Sequence, residues 1–262
     1  LKNSSSGANF KISSDYETIY LYKNQEIIDS MSFEKLPTDI SIGKLRTDYS
    51  KNRFFNIPTP KAENSDVSFE PKTLSNPYIS KISGVYNKSF YVHAKPLDAN
   101  AILYYTLDGT DPTELSPRFI DSLLVSKTTK LKIRAFKYDY LPSEVSCESY
   151  LFLPYKHTIP IVSVTINPKD FFDWETGIYV LGPNASNDQP NFRANFWEDW
   201  ERPCNVQIIN PDGTIAISQR MGVKIGGNWS RANPQKSLKF YARSQYDKKS
   251  IDYQIFKDKP IY

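Results

Sequence analysis

Two cysteines, two histidines, two methionines and ten glycines in 262 residues leave several kinds of chemistry without material. Two cysteines supply neither a zinc site nor a disulfide framework. Cys147 and Cys204 could pair only if the fold brought their Cα atoms within about 7 Å. They fall in different segments, so they are expected as buried free thiols. His93 and His157 lie too far apart in sequence to suggest a dyad, and neither belongs to a motif. No run approaches the roughly 18 apolar residues of a membrane-spanning helix. Concentrated charge is missing too, since 33 basic and 29 acidic side chains leave only +4. The nearest approach to a cluster is Lys127, Lys130, Lys132 and Arg134, and on an alternating strand the last three share one face. A solvated sheet face is expected there, and nucleic acid is not an expected partner. The chain opens at Leu1-Lys2-Asn3 with neither an initiating methionine nor a signal peptide, and reads as a piece of a longer protein.

What is present favours sheet. Eighteen tyrosines and fifteen phenylalanines suit pleated, half-buried surfaces. Eighteen prolines favour many short elements over long helices. Thr18–Tyr22 and Ile27–Phe33 read as strands flanking a Lys23-Asn24-Gln25 turn. Pro58, Pro60 and the polar residues after them suggest an exposed connector, which sets domain 1–62 and linker 63–76. Ser89–Val92, Ala101–Thr106 and Lys130–Phe136 predict a small sandwich over 77–152, with Leu131, Ile133 and Ala135 facing inward. From 153 to 262, Ile161–Ile166 and Gly177–Val180 read as strands. Asn167-Pro168 between them caps a helical turn carrying Phe171 and Phe172. Asn205–Ile209 and Thr214–Ile225 flank the hairpin turn Pro211-Asp212-Gly213, and Ser237–Ala242 is one more strand.

Few of these residues point to chemistry directly. Asp108 and Asp111 are too few for calcium, which takes six or more oxygen ligands, and read as turn formers. Four Asn-X-Ser triplets begin at Asn3, Asn87, Asn184 and Asn228, and none is assigned as glycosylated. The period of two puts Lys236, Leu238, Phe240 and Ala242 on one strand face. A lysine there needs anions, such as a phosphate pair or a glutamate, or must snorkel from the sheet rim. Gly226-Gly227 suits a bulge or turn better than a phosphate cradle, and Arg231 could meet phosphate or a surface carboxylate.

Three resemblances follow. Asn9–Ser13, Glu17–Tyr22, Asp39–Leu45 and Pro58-Thr59-Pro60 resemble the C-terminal half of a bacterial lamin-tail domain, an immunoglobulin-like module of exported proteins. Tyr104–Thr113, Leu131–Phe136, Pro142–Val145 and Tyr150 resemble the chitobiase/β-hexosaminidase C-terminal domain, a small accessory sandwich. Ile159–Val164, Phe172-Asp173, Gly177–Val180, Arg202-Pro203, Gly222–Arg231 and Gln235–Phe240 resemble the N-terminal part of the CotH family, which is related to protein kinases by fold.

Together they imply a mainly β chain: two immunoglobulin-like β-sandwich modules, then the β-rich N-terminal part of an atypical kinase-like α+β domain. They imply a secreted or cell-surface bacterial protein that in complete form transfers phosphate from ATP with Mg²⁺ to surface or coat proteins. Lys236 and Arg231 would contact the ATP phosphates. The catalytic and metal-holding carboxylates of that family lie beyond this chain, which is therefore expected to be inactive by itself. The rival expectation is a non-catalytic scaffold for adhesion or glycan binding.

Overall fold

The computed structural model describes residues 12, 16–34, 36–37, 39–64, 67–255 and 259. The Asn9–Ser13 motif lies outside them except for Ile12, as does the triplet at Asn3.

In chain order the first strands are β1 (Glu17–Lys23), β2 (Glu26–Phe33), β3 (Ser41–Lys44), β4 (Asn52–Phe55) and β5 (Glu70–Thr73). Then come β6 (Tyr78–Ile79), β7 (Gly84–Val85), β8 (Phe90–Lys95), β9 (Ile102–Thr106), β10 (Ser122–Val125), β11 (Thr129–Phe136), β12 (Tyr140–Leu141) and β13 (Ser146–Leu151). The last are β14 (Ile161–Ile166), helix α1 (Pro168–Phe172), β15 (Arg202–Ile209), β16 (Ile215–Ile225) and β17 (Leu238–Tyr241). The chain is mainly β, as expected.

It divides into two compact units. Unit 1 holds residues 1–74 together with Lys137–Leu141. Among its described residues, β1 pairs antiparallel with β2, β3 antiparallel with β4, and β5 parallel with β12. Phe33, Phe54, Phe55, Leu74 and Leu141 are buried. The stretch expected as an exposed connector is tied in. Asn64 donates its side-chain amide to the Lys44 carbonyl at 2.7 Å, Phe69 bridges Phe54, and residues 70–73 form β5. Proline content gave no hint of this, because Pro71 sits in a short two-stranded pairing where a missing N–H costs little. Arg53, 8% exposed, binds Glu70 and Asp139 within this unit.

Unit 2 holds residues 75–136 and 142–262. A three-stranded sheet (β10-β8-β6) and a four-stranded sheet (β7-β13-β11-β9) enclose Val92, Val125, Leu131 and Tyr150. Leu131, Ile133 and Ala135 point inward as their alternation predicts. A second four-stranded sheet, β14-β15-β16-β17, is antiparallel throughout. Cys204, Val206, Ile208, Met221, Val223 and Ile225 of this sheet pack against Ile178, Ala194 and Phe196 from the long connection before β15.

Gly177–Val180 is not a strand. Gly177, Ile178 and Tyr179 give their N–H groups to the carbonyls of Asp173, Asp170 and Phe171, folding the segment back on α1. Its apolar residues therefore serve the core from a turn, and the short run could not reveal this. Asn167 caps α1 as expected, its side chain accepting the Lys169 N–H at 3.0 Å.

Candidate functional site

The long connection 173–201 is held by buried polar groups rather than by regular structure. Asn195, 2% exposed, directs its amide at the carbonyls of Trp174, Glu175 and Gly177. Gly182 adopts φ +72°, and a Cβ there would run into the Asn195 amide, so this position requires glycine. Together these contacts fix the 3-10 turn Asn195–Trp197.

Both lysine and arginine candidates converge on that turn. The Lys236 ammonium lies 4.0 Å from the Phe196 ring centroid and 5.4 Å from that of Tyr179. It donates to the Asn233 carbonyl at 2.8 Å. No carboxylate pairs with it among the described residues, and burial alone pushes its pKa down. The Tyr179 hydroxyl accepts the Lys236 N–H at 3.0 Å and donates to the Pro234 carbonyl at 3.1 Å, which fixes where the side chain leaves the backbone. Arg231 donates to the carbonyls of Gly227 at 2.9 Å and Trp197 at 3.1 Å. So Lys236 rests on one residue of the turn and Arg231 on its neighbour. Gly226 is buried and donates to the Ser237 carbonyl at 2.7 Å, and Gly227 (φ +95°) turns the chain.

A second polar assembly lies between the sandwich and the sheet that follows it. Lys130, Lys132 and Arg134 do share one face, but that face is covered and not solvated. Lys132, 4% exposed, donates to the Gly109 carbonyl at 2.8 Å and pairs with Asp111 at 2.7 Å. Arg220 reaches Asp111 at 3.8 Å and Glu144 at 3.5 Å. Lys130 binds the hydroxyls of Ser149 and Ser163, and burial lowers its pKa. Gln207, 2% exposed, donates to the Ser83 hydroxyl at 2.7 Å and the Cys147 carbonyl at 3.0 Å. The polar outer faces of two sheets thus meet and largely satisfy each other, with the buried Thr165 hydroxyl left without a hydrogen-bond partner among the described residues.

A pocket of about 40 Å³ in this seam is lined by Asp111, Lys132, Asn167, Asp170, Asn205 and Arg220 among others. Its opposite charges balance, and its size suits ordered water. Asp108 is a turn former: its carboxylate accepts the Thr110 N–H at 2.9 Å and hydroxyl at 2.6 Å, which hold it below the usual carboxylate range. Both thiols are free and buried; burial raises that of Cys147 and pushes Cys204 up to about 12.

Residues 70–147 match the chitobiase/β-hexosaminidase C-terminal domain. The match covers less than a third of the chain, running from the start of β5 into β13. No curated protein and no solved structure matches the chain.

Residue patterns missed Asn195, Gln207 and the exposed ring pair Phe192 and Trp229. For the two amides there was no signal, because a buried amide looks like a loop or strand residue until its acceptors are known. For the rings, the aromatic density of residues 190–200 was visible, but not its exposure.

Proposed function

We propose that this chain is the β-rich front of an extracytoplasmic, CotH-like bacterial protein. In this reading unit 1 corresponds to the C-terminal half of a lamin-tail domain. The chitobiase-like sandwich is its accessory module, and residues from about 153 onward are the ATP-facing part of an atypical kinase domain.

Lys236 carries the reading. An ammonium has three N–H donors, and this one has a single carbonyl acceptor, two aromatic neighbours and no carboxylate among the described residues. A half-buried cation with spare donors at the edge of an antiparallel sheet is suited to phosphate oxygens. Arg231, gathered on the same turn, supplies a second cation. Phosphoryl transfer further needs carboxylates to hold Mg²⁺ and a base to orient the attacking hydroxyl. None is assigned in this chain, so by itself it is proposed to bind ATP weakly and transfer nothing.

The test is calorimetric titration of ATP with Mg²⁺ into this chain, together with labelled-ATP transfer by the complete protein. Lys236→Ala is expected to abolish both the weak binding and the transfer. Undiminished transfer in that variant would return Lys236 to the role of a rim lysine packed on Phe196. A second reading, a non-catalytic surface scaffold, is favoured by the buried seam, since a stiff junction suits presentation of a binding surface. Transfer activity in the complete protein would exclude it.

A further inference from the structure

Two large rings stand in solvent next to the turn described above, and the phosphate reading uses neither. Phe192 is 52% exposed and Trp229 is 65% exposed. Their centroids lie 5.9 Å apart at an interplanar angle of 69°. We propose that Phe192 and Trp229 form a stacking platform for a neutral polysaccharide of flat, equatorially substituted pyranose units.

The platform is built rather than incidental. Trp197 supports Phe192 at 5.5 Å, and its indole N–H is fixed on the Pro190 carbonyl at 3.0 Å. The Phe192 carbonyl accepts the Ser186 N–H at 2.8 Å, and Asn191 closes the same loop through the Ser186 carbonyl at 2.9 Å. On the other side, Arg231 joins the Gly227 and Trp197 carbonyls, tying the Trp229 loop to the Phe192 loop. These contacts hold the rings in place without covering them. Leaving such rings in water forgoes the gain that burial would bring, and exposed aromatic surface of this kind marks recognition sites.

The surroundings select the class of ligand. A lipid or a partner helix needs a continuous apolar face. Here the rings are flanked in sequence by Asn191, Arg193, Asn228 and Ser230. Asn228 and Arg193 are exposed, and their side chains hold no hydrogen-bond partner among the described residues. A pyranose turns its C–H faces to aromatic rings and its equatorial hydroxyls outward, where an amide and a guanidinium can meet them. Two rings at a steep angle would grip successive sugars of a twisting chain. Residues 186–193, which carry Phe192, hold one acidic side chain, Asp188, and one basic one, Arg193, and this absence of net charge in the loop favours a neutral polymer over an acidic one.

The test titrates the 262-residue chain with cellohexaose and chitohexaose, read by tryptophan fluorescence, and runs it through gels holding the corresponding soluble polysaccharides. Saturable binding to at least one is expected. Trp229→Ala should weaken it about ten-fold, Trp229→Phe should retain most of it, and the Phe192→Ala/Trp229→Ala pair should abolish it. Unchanged thermal melting would show that the exposed rings are dispensable for folding. Lys236→Ala should bind sugar as the parent does, so failure of the kinase reading leaves this result standing. Three outcomes overturn the proposal: no saturable binding to either oligosaccharide, undiminished binding by the double variant, or displacement of the sugar by ATP.

Discussion

The side-chain amide of Gln207 in β15 donates to the hydroxyl of Ser83, 124 residues earlier, at 2.7 Å. The same hydroxyl donates to Glu148 and accepts the Ser149 N–H at 2.8 Å. One serine therefore links the matched sandwich to the sheet downstream of it, and the two are expected to unfold together.

Gln207→Leu tests that coupling. It leaves the Ser83 hydroxyl and the Cys147 carbonyl short of a donor in a buried seam, so the expected loss is about 1–3 kcal/mol. Urea unfolding should still show one transition for unit 2, at lower denaturant. Separation into two transitions would mean that the seam does not join the two sheets energetically.

Glu148 should make stability depend on pH. Burial is the largest influence on it and raises its pKa, while the N–H and hydroxyl of Ser83 pull the other way. A carboxyl whose folded pKa is raised binds its proton more tightly in the folded state. Its contribution is complete below the ordinary carboxylate range and is lost as pH rises through the raised value. Urea midpoints measured from about pH 4 to 7 should fall more in the parent than in Glu148→Gln. Equal slopes would show that the acid stays ionised beside Ser83.

Asn195→Ala should cost about 2 kcal/mol or more, because three carbonyls lose a buried donor at once. The turn that supports Lys236 and Arg231 would loosen with it. Hydrogen exchange should accelerate at residues 177–197 and remain slow in β8 and β11.

In unit 1, Arg53→Met should lower stability by roughly 2 kcal/mol, less than a fully buried ion pair because Glu70 and Asp139 keep contact with water. Differential scanning calorimetry is the check. A melting temperature within a degree of the parent's would show that the carboxylates gain as much from water as from the guanidinium.

Strand existence was legible wherever alternation was clear. Leu131, Ile133 and Ala135 fixed the inward face of β11 without ambiguity. The opposite face was legible as a face, but its fate was not, because alternation distinguishes two sides of a strand and says nothing of what a later segment lays over them. Lysines and an arginine favour water until serine hydroxyls, backbone carbonyls and an aspartate arrive to satisfy them. The same limit explains Gly177–Val180, whose apolar residues are core residues delivered by a turn. The position of Lys236 at the rim of an apolar face was legible from its phase with Leu238 and Phe240. The ring beneath it was not, since Phe196 lies 40 residues away in the connection before β15.

Unit 1 is discontinuous in the chain: β5 is completed by β12, and Arg53 by Asp139, both drawn from Lys137–Leu141. During synthesis residues 1–74 therefore emerge without their closing strand. They must wait while more than 60 further residues are added, most of them belonging to the sandwich. At ordinary elongation rates of about 5–20 residues per second that delay lasts several seconds. Through it the edge of β5 stays unpaired, and translation speed across residues 75–141 governs how long that edge is open to wrong partners.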